Sequence, residues 1–185
     1  KGSGTSLLSV TALNATDLYN IGLVGAIGGA KGSIGVGAAV STNRLNQTTE
    51  AGISNSAKPV KASHAGDIAV SAQGTGSIFD LSVGAAATAS ESLVEFGGSL
   101  AYNYINNVTG AKISKANLVS EDNIGVVAQS DLSDFTFTGG SNIGGKVSAG
   151  ASVNINSLND TTEALVEGSI LTAKATGNFN NSGRS

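Results

Sequence analysis

Any chemistry in this chain would have to start from His64, its one histidine. It sits in Ser63-His64-Ala65-Gly66, with Asp67 next in line and serines on every side, so the residue types of a hydrolase triad are all present. The context of a triad is not. No G-x-S-x-G elbow accompanies the histidine, and nothing marks a third group that would orient it as a base. An exposed loop histidine accounts for it. The carboxylates come next: Asp131 with Asp134, and Glu121 with Asp122. Paired acids of this kind hold calcium or do acid and base work on glycans in some enzymes. Here the members of a pair differ by an odd number of residues, so on a strand they point to opposite faces and a converging groove does not form. The phosphate loop needs glycine before its lysine, where this chain has Ala30 before Lys31, and the glycine-rich calcium repeat needs an aspartate that Gly139-Gly140-Ser141-Asn142-Ile143-Gly144-Gly145 lacks. Sequons such as Asn46-Gln47-Thr48 read as turn chemistry. Catalytic, cofactor and metal sites are all expected to be absent, and the chain is not read as an enzyme.

Composition narrows the class further. Among 185 residues there are 26 glycines, one proline and no Cys, Met or Trp, with 12% charged and 40% hydrophobic residues. That is too little charge for a solvated disordered tail and too few large side chains for a bulky core. Thiol chemistry and disulfides are excluded outright. A net charge of −3 offers no basic footprint for nucleic acid and no polybasic attraction to anionic lipid. The run from Ile21 to Val40 is long enough to span a membrane, but Gly and Ala supply most of it and Lys31 interrupts it, so a transmembrane helix is not expected. A chain that starts at Lys1 and contains no Met reads as a segment of a longer protein.

The organising signal is internal repetition. Asn46-Gln47-Thr48-Thr49-Glu50-Ala51-Gly52-Ile53 returns as Asn106-Asn107-Val108-Thr109-Gly110-Ala111-Lys112-Ile113 and as Asn159-Asp160-Thr161-Thr162-Glu163-Ala164-Leu165-Val166. Around it lie strands of period two: Leu8 to Ala12 with Ile68 to Ala72 and Ile124 to Ala128, then Tyr19, Ile21 and Leu23 with Phe79, Leu81 and Val83 and with Phe135 and Phe137. The longest alternation is Ile34, Val36, Ala38, Val40 and Thr42, matched by Val94, Phe96, Gly98, Leu100 and Tyr102 and by Val147, Ala149, Ala151, Val153 and Ile155. A helix would spread these residues round its circumference. Approximate repeats therefore cover 7–66, 67–122 and 123–175, with 176–185 as a tail, and shorter apolar pieces at Val60, Leu118 and Leu171 complete each unit.

No unit can bury its apolar face alone, so stacking is predicted: an all-β solenoid of parallel sheets, with side chains in ladders and a thin Gly/Ala-rich core. At roughly 20 residues per coil, the chain would give about nine coils and a narrow rod of about 40 to 45 Å. The inward face is taken as the apolar one, including Ala38, Ala85, Ala87, Ala149 and Ala151, so that Ala151→Phe should overpack it. Asn43, Asn46, Asn103, Asn106, Asn156 and Asn159 are taken as corners, because asparagine tolerates left-handed backbone and bonds its own neighbours.

This succession of a Gly/Ala-rich alternating strand, asparagines, a Thr-Thr-Glu-Ala motif and an Ile-x-Val-x-Ala strand resembles the repeats of filamentous haemagglutinin-like and leukotoxin-type filamentous adhesins of Gram-negative bacteria. The resemblance runs from Leu7 to about Ala175 and departs at Val108-Thr109-Gly110, which replaces Thr-Thr-Glu. It implies a right-handed parallel β-helix, exported by a type V route and displayed on the cell surface, where it acts as a structural or adhesive stalk that contacts a host or bacterial receptor or glycan. The stalk of a pore-forming exoprotein and a carbohydrate-active β-helix are the rival classes. Flanking coils or end-to-end self-association would cover the open strand edges.

Overall fold

The structure is a computed structural model. It describes residues 8–28, 32, 34–55, 58, 60–62, 66–88, 94–144, 146–174 and 180–183. Those residues form no helix. Ten strands run in the order β1 (Leu8–Gly28), β2 (Ile34–Ser54), β3 (Val60–Ala62), β4 (Ile68–Thr88), β5 (Val94–Ser114), β6 (Asn117–Ser120), β7 (Ile124–Ile143), β8 (Val147–Glu167), β9 (Ile170–Ala173) and β10 (Asn180–Gly183). They build three parallel sheets, β1-β4-β7-β10, β2-β5-β8 and β3-β6-β9. This is the solenoid that the repeats predict, and its register is the repeat register: Leu8 pairs Ile68 and Ile124, Tyr19 pairs Phe79 and Phe135, and Asn46 pairs Asn106 and Asn159.

The coil is three times longer than assumed. One turn consumes β1, β2 and β3, so three coils use the described chain and β10 lays the start of a fourth on β7. A 21-residue strand extends about 70 Å, whereas three stacked strands rise only about 10 Å between first and last. The result is a broad, flat blade in place of a narrow rod. The chain runs up one long sheet, reverses, and runs back down the other. The third, short sheet closes the near end.

The interior changes character along the blade. At the near end, where three sheets meet, Ile68, Val70, Ile113, Leu118, Ile124 and Val126 form a true apolar core with Ala51 and Ala111. Ile53, Ala164 and Val166 pack against it, so the inward parity expected of these positions holds. Farther along, Leu45, Ile78 and Ile105 form a second, smaller apolar layer. Beyond it the inward side chains become polar and then small, with Thr88 and Glu95 buried at the far ends of β4 and β5. A Cβ on Gly37 would lie 1.9 Å from the Ala85 carbonyl oxygen, and one on Gly84 would lie 2.0 Å from that of Gly98. The two sheets therefore approach to backbone contact at the far end.

That contact overturns two expectations. Ile34, Val36, Ala38, Val40 and Thr42 face outwards, while Gly35, Gly37, Ala39, Ser41 and Asn43 face inwards, and the same inversion holds in β5. Between sheets this close there is no room for a Val or Phe, so the small parity goes in and the bulky parity goes out. Ala38, Ala149 and Ala151 are accordingly exposed, and Ala85 and Ala87 lie on the outer face too. Ala151→Phe is expected to leave the urea midpoint within about 0.5 kcal/mol of the parent, as for other surface changes, and not to overpack.

The asparagines are not corners either. Asn43 and Asn46 lie in mid-strand, as do their partners. The corners are the left-handed residues Asn55 (φ 55°), Lys115 (φ 49°) and Gly168 (φ 54°), one at the end of each return strand. The expected loop at 63–66 lies mainly outside the described residues. Glu121, Asp122 and Asn123 form the short link between β6 and β7.

Candidate functional site

Three features carry polar or exposed groups with enough organisation to consider. The first is internal. Two columns of side chains face each other across the blade: Asn20, Asp80 and Thr136 from one sheet, and Asn43, Asn103 and Asn156 from the other. Asn43 Nδ2 donates to Asn103 Oδ1 (2.7 Å) and to Asp80 Oδ2 (3.0 Å), and Asn103 Nδ2 donates to Asn156 Oδ1 (3.2 Å) and Thr136 Oγ1 (2.6 Å). Ser41 Oγ also donates to Asp80 Oδ2 (2.5 Å), and Asn20 Nδ2 to Asn43 Oδ1 (2.8 Å). With the Asn103 amide reversed, its NH2 would reach Asp80 Oδ2 (3.2 Å) and the Tyr102 carbonyl (3.3 Å) but would face the Asn43 NH2 at 2.7 Å, so the ladder orientation is the one that keeps the short bond between the two amides. A second amide ladder joins Asn107 Nδ2 to Asp160 Oδ1 (2.8 Å), Ser130 Oγ (2.9 Å) and Thr109 Oγ1 (3.0 Å).

Buried acids share the inward parity of the first ladder, Asp80 within it and Glu95 at the far end of β5. Asp80 and Glu95 are fully buried, and the Thr88 hydroxyl donates to Glu95 Oε1. Asp134 lies on the inward parity one coil beyond Ile78 and accepts from Thr136 Oγ1 (2.8 Å). Burial raises its carboxyl above the ordinary 3.8. The Thr136 hydrogen bond opposes that shift, and the nearby Asp80 charge adds to it. A native value above the unfolded one means that the folded chain binds the proton more readily, so ionised Asp134 costs stability above its raised value, and stability is regained as pH falls through that value towards 3.8. Asp134→Asn is therefore expected to melt higher than the parent at pH 7. The gap should close below pH 3.8, as followed by circular dichroism.

The residues singled out by sequence scatter. Asp131 is exposed on the outer face and is not joined to Asp134. Glu121 pairs with Lys174 on the next coil, and Asp122 Oδ1 accepts from Asn123 Nδ2 (3.1 Å). Asp67 Oδ1 accepts from the backbone N–H and the Nδ2 of Asn123 (3.0 and 3.1 Å), which makes it a staple between coils. His64 lies outside the described residues. Among the described residues, no group of three or more His, Cys, Asp or Glu is placed to hold a metal. Sequence reasoning missed Asp80 and Glu95 because it put their parity outside, and it missed the role of Asn103 because it read that residue as a corner. The available signal was an isolated acid within a run of small residues, as in Asp80, Ser82, Gly84 and Ala86.

The second feature is a shallow depression of about 560 Å³ on the outer face of β2-β5-β8, over the repeated motif. Glu50, Gly110 and Glu163 stand in one row across the three coils. Gly110 separates the two carboxylates by two strand spacings, about 9.6 Å, where a third glutamate would stack like charges on directly opposed positions. Lys112 pairs with Glu167 (3.2 Å) beside it, both largely solvated. Above the depression, Arg44 lies over the Tyr104 ring at 5.3 Å.

The third feature is the far half of the blade, whose two outer faces are apolar. Tyr19, Ile21, Leu23 and Ile27 lie on one side, and Ile34, Val36 and Val40 on the other, all more than half exposed. The middle coil, covered by a coil above and below, still leaves Phe96 49% and Leu100 40% exposed. Tyr19, Phe79 and Phe135 form a ladder, with ring centroids 6.2 and 5.4 Å apart, at the level where this apolar band begins. No helix among the described residues is long and apolar enough to cross a membrane.

Comparison of the chain with protein-family models, with curated proteins and with solved structures finds no match in any of the three.

Proposed function

We propose that the chain is a non-enzymatic stalk segment of a secreted bacterial surface filament, of the adhesin type that its repeats resemble. In this reading it sits outside the cell, associated with the outer membrane. It carries or makes contact with a receptor or glycan on a host or neighbouring cell, and nucleic acid is not a partner. The observation that supports it is the in-register stacking of coils built on the same strand plan. Leu45, Ile105 and Leu158, or Ala51, Ala111 and Ala164, occupy one position on successive coils, so an added coil meets the surface the last one presented. At one axial end β1 and β2 each pair on a single side, and at the other β8 does, which leaves strand edges for further coils.

Sedimentation velocity and negative-stain microscopy of the 185-residue chain test this reading. Axial, concentration-dependent growth is expected. A concentration-independent compact particle would overturn it. Beads coated with the chain and offered to host cells separate an adhesive segment from a spacer, since a spacer leaves bead binding at the level of uncoated beads.

A further inference from the structure

We propose that the far half of the blade embeds in the hydrocarbon of a lipid bilayer. The band runs from Tyr19 to Ile27 on the way out and from Ile34 to Thr42 on the way back. Its outward residues are Tyr19, Ile21, Leu23, Gly25 and Ile27, then Ile34, Val36, Ala38, Val40 and Thr42, and none of them or of their register partners on the next two coils is charged. Nine residues of strand cover about 30 Å, the thickness of a hydrocarbon core, and a membrane strand needs about 9 to 11.

Three further observations agree. The polarity is that of a membrane β-structure, apolar outside with Asn, Asp, Ser and Gly inside, and it reverses to polar outside and apolar inside in the near half of the same strands. Aromatic rings mark the changeover on both faces: Tyr19, Phe79 and Phe135 on one sheet, and Tyr102 and Tyr104 on the other. Rings of this kind favour the level of the lipid headgroups. Below them the outward residues turn polar, with Asp17, Ser77 and Ser133 on one face and Asn46, Asn106 and Asn159 on the other.

A second copy of the chain fits this surface poorly. One face of the band offers about 30 by 14 Å, about 430 Å², roughly half of the 800 Å² that each partner of a standard interface contributes. Pairing one face also leaves the opposite face bare, so face-to-face contact does not close. Lipid covers both faces at once. The sheets meet at backbone contact inside the band, so there is no lumen and insertion should not make vesicles leak. Strand edges have no partner in hydrocarbon, and stacked coils would supply one; to that extent the proposal rests on the stalk reading.

The chain has no Trp, so a single introduced one reports without background. Leu81→Trp places it in the band on the middle coil, and Gln73→Trp places it on the same strand outside the band. Leu23→Trp, on the neighbouring coil, replaces the first should Leu81→Trp fail to fold. With neutral phosphatidylcholine vesicles brominated in their acyl chains, the band reporter should lose emission at least about threefold and the Gln73→Trp reporter almost none, as the apolar band demands. Adding Val83→Asp should abolish the quenching while the circular dichroism is kept. Unquenched band reporters, or equal quenching at both positions, would overturn the proposal. Sedimentation of the same samples separates the two readings: growth without quenching removes insertion and keeps the stalk, whereas absence of axial growth removes the stalk and, with it, the partners that the strand edges need in hydrocarbon.

Discussion

Gly84→Ala is expected to abolish the native blade or to cost about 3 kcal/mol or more, beyond the ordinary range for overpacking. The added methyl would sit 2.0 Å from the Gly98 carbonyl oxygen and 2.9 Å from that of Gly37, and both obstacles are backbone in the opposite sheet. A flexible side chain could turn away, but these carbonyls belong to paired strands, with that of Gly98 on the central strand of its sheet, and the strain would spread to Gly97 and Gly140, which are also closely placed. Gly125→Ala provides the comparison. It lies on a neighbouring strand with nothing within 4 Å of its new methyl, so it should be neutral or gain a few tenths of a kcal/mol from reduced freedom of the unfolded chain. Urea denaturation of both variants reads the difference. Equal midpoints would mean that the sheets do not approach this closely. Loss confined to Gly84→Ala would identify the small-residue parity as the inner one, and with it the outward placement of the bulky parity on which membrane insertion depends.

The register of this fold was legible in the sequence because a stacked ladder repeats residue types at the positions it stacks. Tyr19, Phe79 and Phe135 could be aligned by eye, and they pair. The facing was legible only in part. Alternation states that the two sides of a strand differ, and which side is buried depends on how far away the opposing sheet lies. Near Ala51, Ala111 and Ile113 the sheets are separated by side chains, so the apolar parity is inside and the expectation holds. Near Gly37 and Gly84 they touch, so the apolar parity is outside. The change occurs within single unbroken strands, where period alone gives no sign of it. Coil length was hidden for a related reason: the long strands carry asparagines in their interior that read as turns, and a repeat spacing of about 60 does not by itself say how many coils it holds. Asparagine contributed to that error, because its affinity for turns and its capacity to stack amides give the same sequence signature.

Asn103→Leu and Asn106→Leu, three residues apart on β5, separate those two roles of asparagine. Asn103 is fully buried at the centre of the internal ladder, bonded to Asn43, Asn156 and Thr136. A leucine there fills similar space but makes none of these bonds. Asn43 retains Asp80 Oδ2, while its contact to the next coil is lost in a place that water does not reach, and Thr136 loses the donor that lets its own hydroxyl serve Asp134. Each unmet buried group costs about 1 to 3 kcal/mol, and on the outer coil Asn156 and Thr136 can turn to solvent, so the expected loss is about 2 to 4 kcal/mol. Asn106 points out of the blade, and its replacement should stay within about 0.5 kcal/mol. If asparagine served as a corner in these coils, both replacements would lose stability alike, because leucine lacks the left-handed tolerance at either position. The two urea midpoints therefore decide between ladder and corner. A large loss at 103 with little at 106 would also make the amide column the element that fixes the stacking distance where the apolar core has run out.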